Sequence, residues 1–185
     1  MMTISPAVFV HGLIGPFRER DSLAVLNSRP VSAPDLNGYG QGADVPITVE
    51  SQTAALHAHM LSTYAGQPVH LVAHSIGAVY AFTLASRYPD LVRSLVTVEG
   101  NFSFADAFWS QSISAMSEKQ AEMVIQDTLR SAAGWLRASG IESTPTVLTR
   151  AEVALAYQPW RTVWESARTI VASTSISSYE KMLRF

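Results

Sequence analysis

Four short runs of apolar and β-branched residues, spaced by helical stretches, constrain this chain more than any other feature. Ala7 to Val10 stops at His11-Gly12, and Val31 to Leu36 closes on Asn37-Gly38-Tyr39-Gly40. His70 to Ala73 and Leu95 to Val98 are the other two. Their composition and the turn residues around them predict buried strands. Helical patterns fill the gaps at Val49 to Tyr64 and Ile76 to Arg87, the second stopped by Pro89. Strands that alternate with helices bury both only in a parallel sheet with helices on its faces.

Beyond Phe102 the texture changes to helices alone. Ser117-Glu118-Lys119-Gln120 predicts a capping box, followed by Ala121, Val124, Thr128, Leu129, Ala132 and Leu136 at helical spacing. Thr149-Arg150-Ala151-Glu152 predicts a second box, and Pro159 suits the first turn of a helix carrying Trp160, Val163, Trp164, Ala167, Ile170 and Val171. Ser177-Ser178-Tyr179-Glu180 predicts a third, opening a helix that runs into Phe185, from which we expect the polypeptide to continue. The expected organisation is an α/β core over residues 1–102 and a helical region over 103–185.

Composition narrows the function classes. The chain has 185 residues, enough for one buried core, with 48% hydrophobic and 15% charged residues. A net charge of −2 gives no electrostatic case for nucleic acid or an anionic membrane. With no cysteine, disulfides, thiol catalysis and thiolate metal sites are excluded. The opening MMTISPAVFV lacks the basic region of a secretory signal, and no apolar run is long enough to span a bilayer. These features lead to the expectation of a soluble, cytoplasmic protein.

The chemistry is carried by His70-Leu71-Val72-Ala73-His74-Ser75-Ile76-Gly77-Ala78-Val79, which reads as strand, tight turn and helix. Its centre, A-H-S-I-G, is a variant of the G-x-S-x-G nucleophile elbow. A serine on so sharp a turn needs small residues two positions to either side, because strand and helix nearly touch there. Ala73 and Gly77 meet that need. A bare five-residue pattern occurs easily by chance, but this one lies between a predicted strand and a predicted helix, the context it requires. Ser75 would then stand at the carboxyl end of the sheet, with the Ile76 N–H and the helix N-terminus facing a developing oxyanion.

The ordered set Val8-Phe9-Val10-His11-Gly12-Leu13, Asp35-Leu36-Asn37-Gly38-Tyr39-Gly40, Val69 to Gly77, Arg87-Tyr88-Pro89 and Leu95 to Asn101 resembles the α/β-hydrolase superfamily over about the first hundred residues. The resemblance implies that Leu13 N–H is the second oxyanion donor, where Gly12 lets the backbone pass close to a substrate carbonyl. It also implies that the later helices form a cap, and that Glu99, at a strand's carboxyl end, stands where some members carry the triad acid, most carrying it after the next strand. Read from the residues alone, Glu99 is equally a solvated or capping carboxylate, and Asp106 is the weaker candidate.

The five histidines are His11, His57, His59, His70 and His74, and none is placed to be the base. His57 and His59, two apart on a helix, do not share a face and make a poor metal site. The family's base follows its last strand, and two further strands are expected after the cap. Neither they nor that histidine is seen, so the sheet is expected to be incomplete, with Leu95 to Val98 an apolar edge. Without the base, several orders of magnitude in rate are lost.

The expected function is hydrolysis of a carboxylic ester or related small-molecule acyl substrate by Ser75, without metal or cofactor. A serine at this position argues against the dehalogenase and epoxide-hydrolase branches, which use a carboxylate. Phe102, Phe104, Phe108 and Trp109 are either core or the lining of an apolar substrate cleft. A protein of another class, a non-catalytic hydrolase-like module binding a ligand or partner, is the alternative.

Overall fold

The computed structural model describes residues 4–16 and 28–174 of the chain. The third capping box, at residues 177–180, therefore lies outside the described residues.

Four parallel strands form one sheet: β1 (Ala7–Val10), β2 (Val31–Ser32), β3 (Val69–His74) and β4 (Val92–Val98), in the order β2-β1-β3-β4. β1 is buried at all four positions, as its unbroken apolar run requires of a strand covered on both faces. β3 alternates, with Val69, Leu71 and Ala73 fully buried. The expected strand over Val31 to Leu36 is cut to two residues. Pro34 has no N–H to donate, and two amides beyond it are taken by side chains: Leu36 N donates to His11 Nε2 at 3.3 Å and Asn37 N to Gln52 Oε1 at 2.8 Å.

Among the described residues, two helices join the strands. α1 (Val49–Tyr64) opens on a reciprocal Thr48–Ser51 capping box and closes at Ala65 and Gly66, both left-handed. α2 (Gly77–Arg87) follows β3 directly. Val8, Val10, Leu71, Ala73 and most of the inner face of α2 form one hydrophobic core.

From Phe108 to Thr174 the described residues form helices: α3 (Phe108–Ser114), α4 (Glu118–Arg130), α5 (Ala132–Ala138), α6 (Pro145–Ala156) and α7 (Trp160–Thr174). The Ser117–Gln120 capping box forms as read from sequence. The long stripe from Ala121 to Leu136 is broken at Ser131, which leaves helical geometry (φ −123°, ψ 75°) and caps α5 by accepting from Gly134 N at 3.2 Å. The expected box at Thr149 does not form. Thr144 caps the helix instead, with Pro145 in its first turn, and the Thr149 hydroxyl bonds back to Pro145 O inside it. Val163, Ala167 and Ile170 of α7 join the main core, whereas Ala132, Leu136, Ala151 and Leu155 make a small separate cluster between α5 and α6.

β4 is an edge strand among the described residues, and Val96 and Val98 are 54% and 47% exposed. No helix among the described residues is long and apolar enough to cross a membrane.

Candidate functional site

The sheet reverses its winding at β1. From β1 the chain goes to β2 on one side, then returns to β3 on the other. Parallel sheets open a crevice outside the carboxyl ends of the strands at such a point. Here those ends carry His11-Gly12-Leu13 after β1 and Ser75 after β3.

Ser75 has φ 51°, a left-handed conformation that a side chain adopts at a cost of about 1–2 kcal/mol. The surroundings hold it there. Ser75 N donates to Val98 O at 2.9 Å, while its carbonyl accepts from Ala78 N at 3.0 Å and Asn101 N at 3.3 Å. Gly77 is obligatory: a Cβ there would lie 2.4 Å from His11 O and 2.8 Å from Val10 O. A Cβ on Gly12 would lie 2.7 Å from His74 Nδ1 and 3.0 Å from Ser75 Cβ, so the turn after β1 lies against the elbow. The pairing of Val10 with Ala73 brings the two turns level.

Leu13 and Ile76, the expected oxyanion donors, flank this junction and are both buried. The Ser75 hydroxyl donates to Asn101 Oδ1 at 3.0 Å, and Asn101 Nδ2 donates to Asp106 O at 3.1 Å. Asn101 is buried, and its role was missed in the sequence although it sits two residues past Glu99. The only signal for it was its place in a loop at the carboxyl end of the sheet. Asp106 itself turns to Ser103, accepting from its N–H and its hydroxyl, both at 2.8 Å.

Glu99, also at φ 51°, stands level with Ser75 on the neighbouring strand end, but its carboxylate reaches His74 Nε2 at 3.4 Å and its side chain is 82% exposed. The other histidines are engaged apart from Ser75. His11 is buried, with Nδ1 at 2.9 Å from Gly12 O, and because Nε2 accepts from Leu36 N the Nδ1 hydrogen belongs to that bond. His57 stacks on Tyr88 at 3.9 Å, His59 Nε2 lies 2.8 Å from Ser32 Oγ, and His70 Nδ1 lies 2.7 Å from Ser94 Oγ. Among the described residues no group of three or more His, Asp or Glu side chains is placed to hold a metal.

Of the four aromatics after Glu99, Trp109 lines a cavity of about 110 Å³ with Ile14, Ile113, Met116, Ile125 and Leu129. Phe102 packs on Phe82 edge to face at 6.4 Å, and Phe104 and Phe108 are exposed. A larger open groove of about 420 Å³, lined by Arg130, Ser131 and Glu152 among others, shares no residue with the loops around Ser75.

A parallel sheet wound both ways from β1, with helices packed against it, defines a doubly wound α/β fold. The alpha/beta hydrolase family model matches residues 7–183, and the chain belongs to that family. It is 38% identical to lipase LipV of Mycobacterium tuberculosis over 71 residues, which cover 38% of this chain and 27% of the lipase. The chain thus matches about a quarter of that relative's length. Two solved structures share the fold. One is a thermophilic esterase from Thermogutta terrifontis, with a TM-score of 0.64 and 19% identity over 91% of this chain and 64% of the esterase. The other is a hydrolase from Pseudomonas aeruginosa, with a TM-score of 0.66 and 14% identity over 97% of this chain and 77% of that one.

Proposed function

We propose that this chain carries the nucleophile and oxyanion half of a serine hydrolase acting on a carboxylic ester or related acyl compound, with the helices after Phe102 serving as its cap. The observation that carries the reading is Ser75 itself, a non-glycine residue held at φ 51° between β3 and α2. Backbone strain of this kind persists where surrounding structure over-determines it, and it clusters at reactive sites.

In this reading the Ser75 oxygen attacks the carbonyl carbon while its hydroxyl proton passes to solvent water, and the carbonyl electron pair moves onto the carbonyl oxygen to give an oxyanion. When that pair returns, the acyl–oxygen bond breaks and the departing alcohol takes a proton from water. The Leu13 and Ile76 N–H groups hold that oxyanion. The Asn101 amide orients the hydroxyl but is too weak a base to take its proton, so acylation is slow without a base. The apolar cavity beside Ile14, about 110 Å³ in volume, supports a substrate whose acyl or alcohol group is small and apolar. An engineered cavity of about 150 Å³ admits benzene, so this one suits a group of only a few carbons.

The test is labelling of purified protein with a fluorophosphonate probe, alongside hydrolysis of a short p-nitrophenyl ester. Slow modification of Ser75, followed over many hours at high probe concentration because no base is present and lost with Ser75→Ala, is the expected result. A well-folded sample that takes no label would replace this reading with a non-catalytic module that binds a ligand or partner.

A further inference from the structure

We propose that Gln158 is a positioning residue that holds the Leu13 amide in register with Ser75, an inference that rests on the serine-hydrolase reading above. The stretch His11 to Gly15 after β1 is gripped from several sides. The His11 ring binds Gly12 O, and the Tyr39 hydroxyl donates to Leu13 O at 3.3 Å while lying 3.1 Å from Ser166 Oγ. Burial pushes the Tyr39 phenol well above its ordinary pKa, so it stays a neutral donor.

The remaining grip comes from the far end of the chain. Gly15 N donates to Gln158 Oε1 at 2.8 Å, a buried bond spanning 143 residues. The orientation of that amide is fixed, because Gln158 Nε2 donates to both Ala154 O and Leu155 O at 3.1 Å. With both amide hydrogens on the last turn of α6, Oε1 is left facing Gly15. The backbone is matched to the contact. Gly15 has φ 74°, and a Cβ there would lie 2.8 Å from Ala154 Cβ. Only glycine lets the loop sit this close to the end of α6.

Leu13 lies two residues before Gly15, so a loop released at Gly15 keeps only the long 3.3 Å bond from the Tyr39 hydroxyl to steady Leu13. Oxyanion donors work over 2.7–3.1 Å, and a misplacement of about 1 Å can cost on the order of a hundredfold in rate. Gln158 thereby ties the helical region to the chemistry without touching substrate.

The experiment separates binding from chemistry in the labelling of Ser75 by a fluorophosphonate of short alkyl chain. In Gln158→Met, which keeps the side-chain volume and loses the acceptor, the maximal rate of labelling should fall about tenfold or more, as for a weakened oxyanion donor. The half-saturating probe concentration should stay within about twofold, because Gln158 does not touch the probe. Should the methionine variant fail to fold, Gln158→Asn withdraws the acceptor by one methylene and carries the same expectation. Wild-type labelling with an unchanged maximal rate in the variants overturns this inference alone. Absence of labelling in the folded wild-type chain overturns the hydrolase reading and this inference with it.

Discussion

Ser75 and Glu99 end adjacent parallel strands, stand level across the sheet and share φ 51°, yet their surroundings are opposite. The turn at Ser75 is closed. β3 lies between β1 and β4, the Ser75 backbone bonds to Val98, Ala78 and Asn101, and Gly77 is pressed against the carbonyls of Val10 and His11. The turn at Glu99 is open. Among the described residues β4 pairs with β3 alone, its Val96 and Val98 are exposed, and the Glu99 carboxylate meets His74 in solvent. The same left-handed step is therefore rigidly supported at an interior strand and only loosely framed at an edge. A residue that must present one atom in one place belongs on the first kind of turn.

The sharpest way to break this contrast is a matched pair of alanines. A Cβ on Gly77 would come 2.4 Å from His11 O, and one on Gly100, beside Glu99, 2.4 Å from Phe102 Cε2. The first obstacle is backbone, and the second is a ring edge that can rotate. Gly77→Ala should cost about 3 kcal/mol despite the better helix propensity of alanine, and Gly100→Ala about 1 kcal/mol, both read by urea unfolding. Equal costs would remove the distinction between the two turns.

Next in size is Asn101→Leu. It leaves the Ser75 hydroxyl and Asp106 O without their partner, and it should cost about 1–2 kcal/mol by the same measurement. Glu99→Gln should change stability by less than about 0.5 kcal/mol, because its contact with His74 is exposed. A cost above 1 kcal/mol would mean that the edge turn is as tightly built as the interior one.

The smallest effect lies away from both turns, at His59 on α1. Burial lowers its pKa below the ordinary histidine value, so the unfolded chain binds a proton more readily. Stability should therefore rise with pH up to about 6.5, the unfolded value, and level off above it. His70, lowered by burial and by Arg29 and Arg93, adds a slope of the same sign. His59→Gln should flatten part of that slope in unfolding curves taken between pH 5 and 7, with the labelling of Ser75 unchanged at pH 7.

Much of the fold was legible because its signals are local. The run Ala7–Val10 is apolar because both faces of β1 are covered, and Ala73 and Gly77 announced a turn too tight for larger neighbours. Errors fell where a local signal had a competitor. Thr149 looked like a cap, but Thr144 followed by Pro145 is a better one five residues earlier. Val31 to Leu36 looked like a strand, but Pro34 lacks an N–H and a distant side chain, His11, claims the last amide of the run. Asn101 and Gln158 carried no spacing signal at all, since each acts on a group 26 or 143 residues away.

The sequence by itself determined the strand–turn–helix around Ser75, because backbone sterics act between near neighbours and need only small residues at the right offsets. The tertiary structure decided what that serine meets, an amide from the loop after β4 and Gly12 from the loop after β1, and it tied Gly15 of that same loop to a glutamine just after α6. Those partners come together only when the sheet winds both ways from β1, and no local pattern encodes a distance set by that crossing.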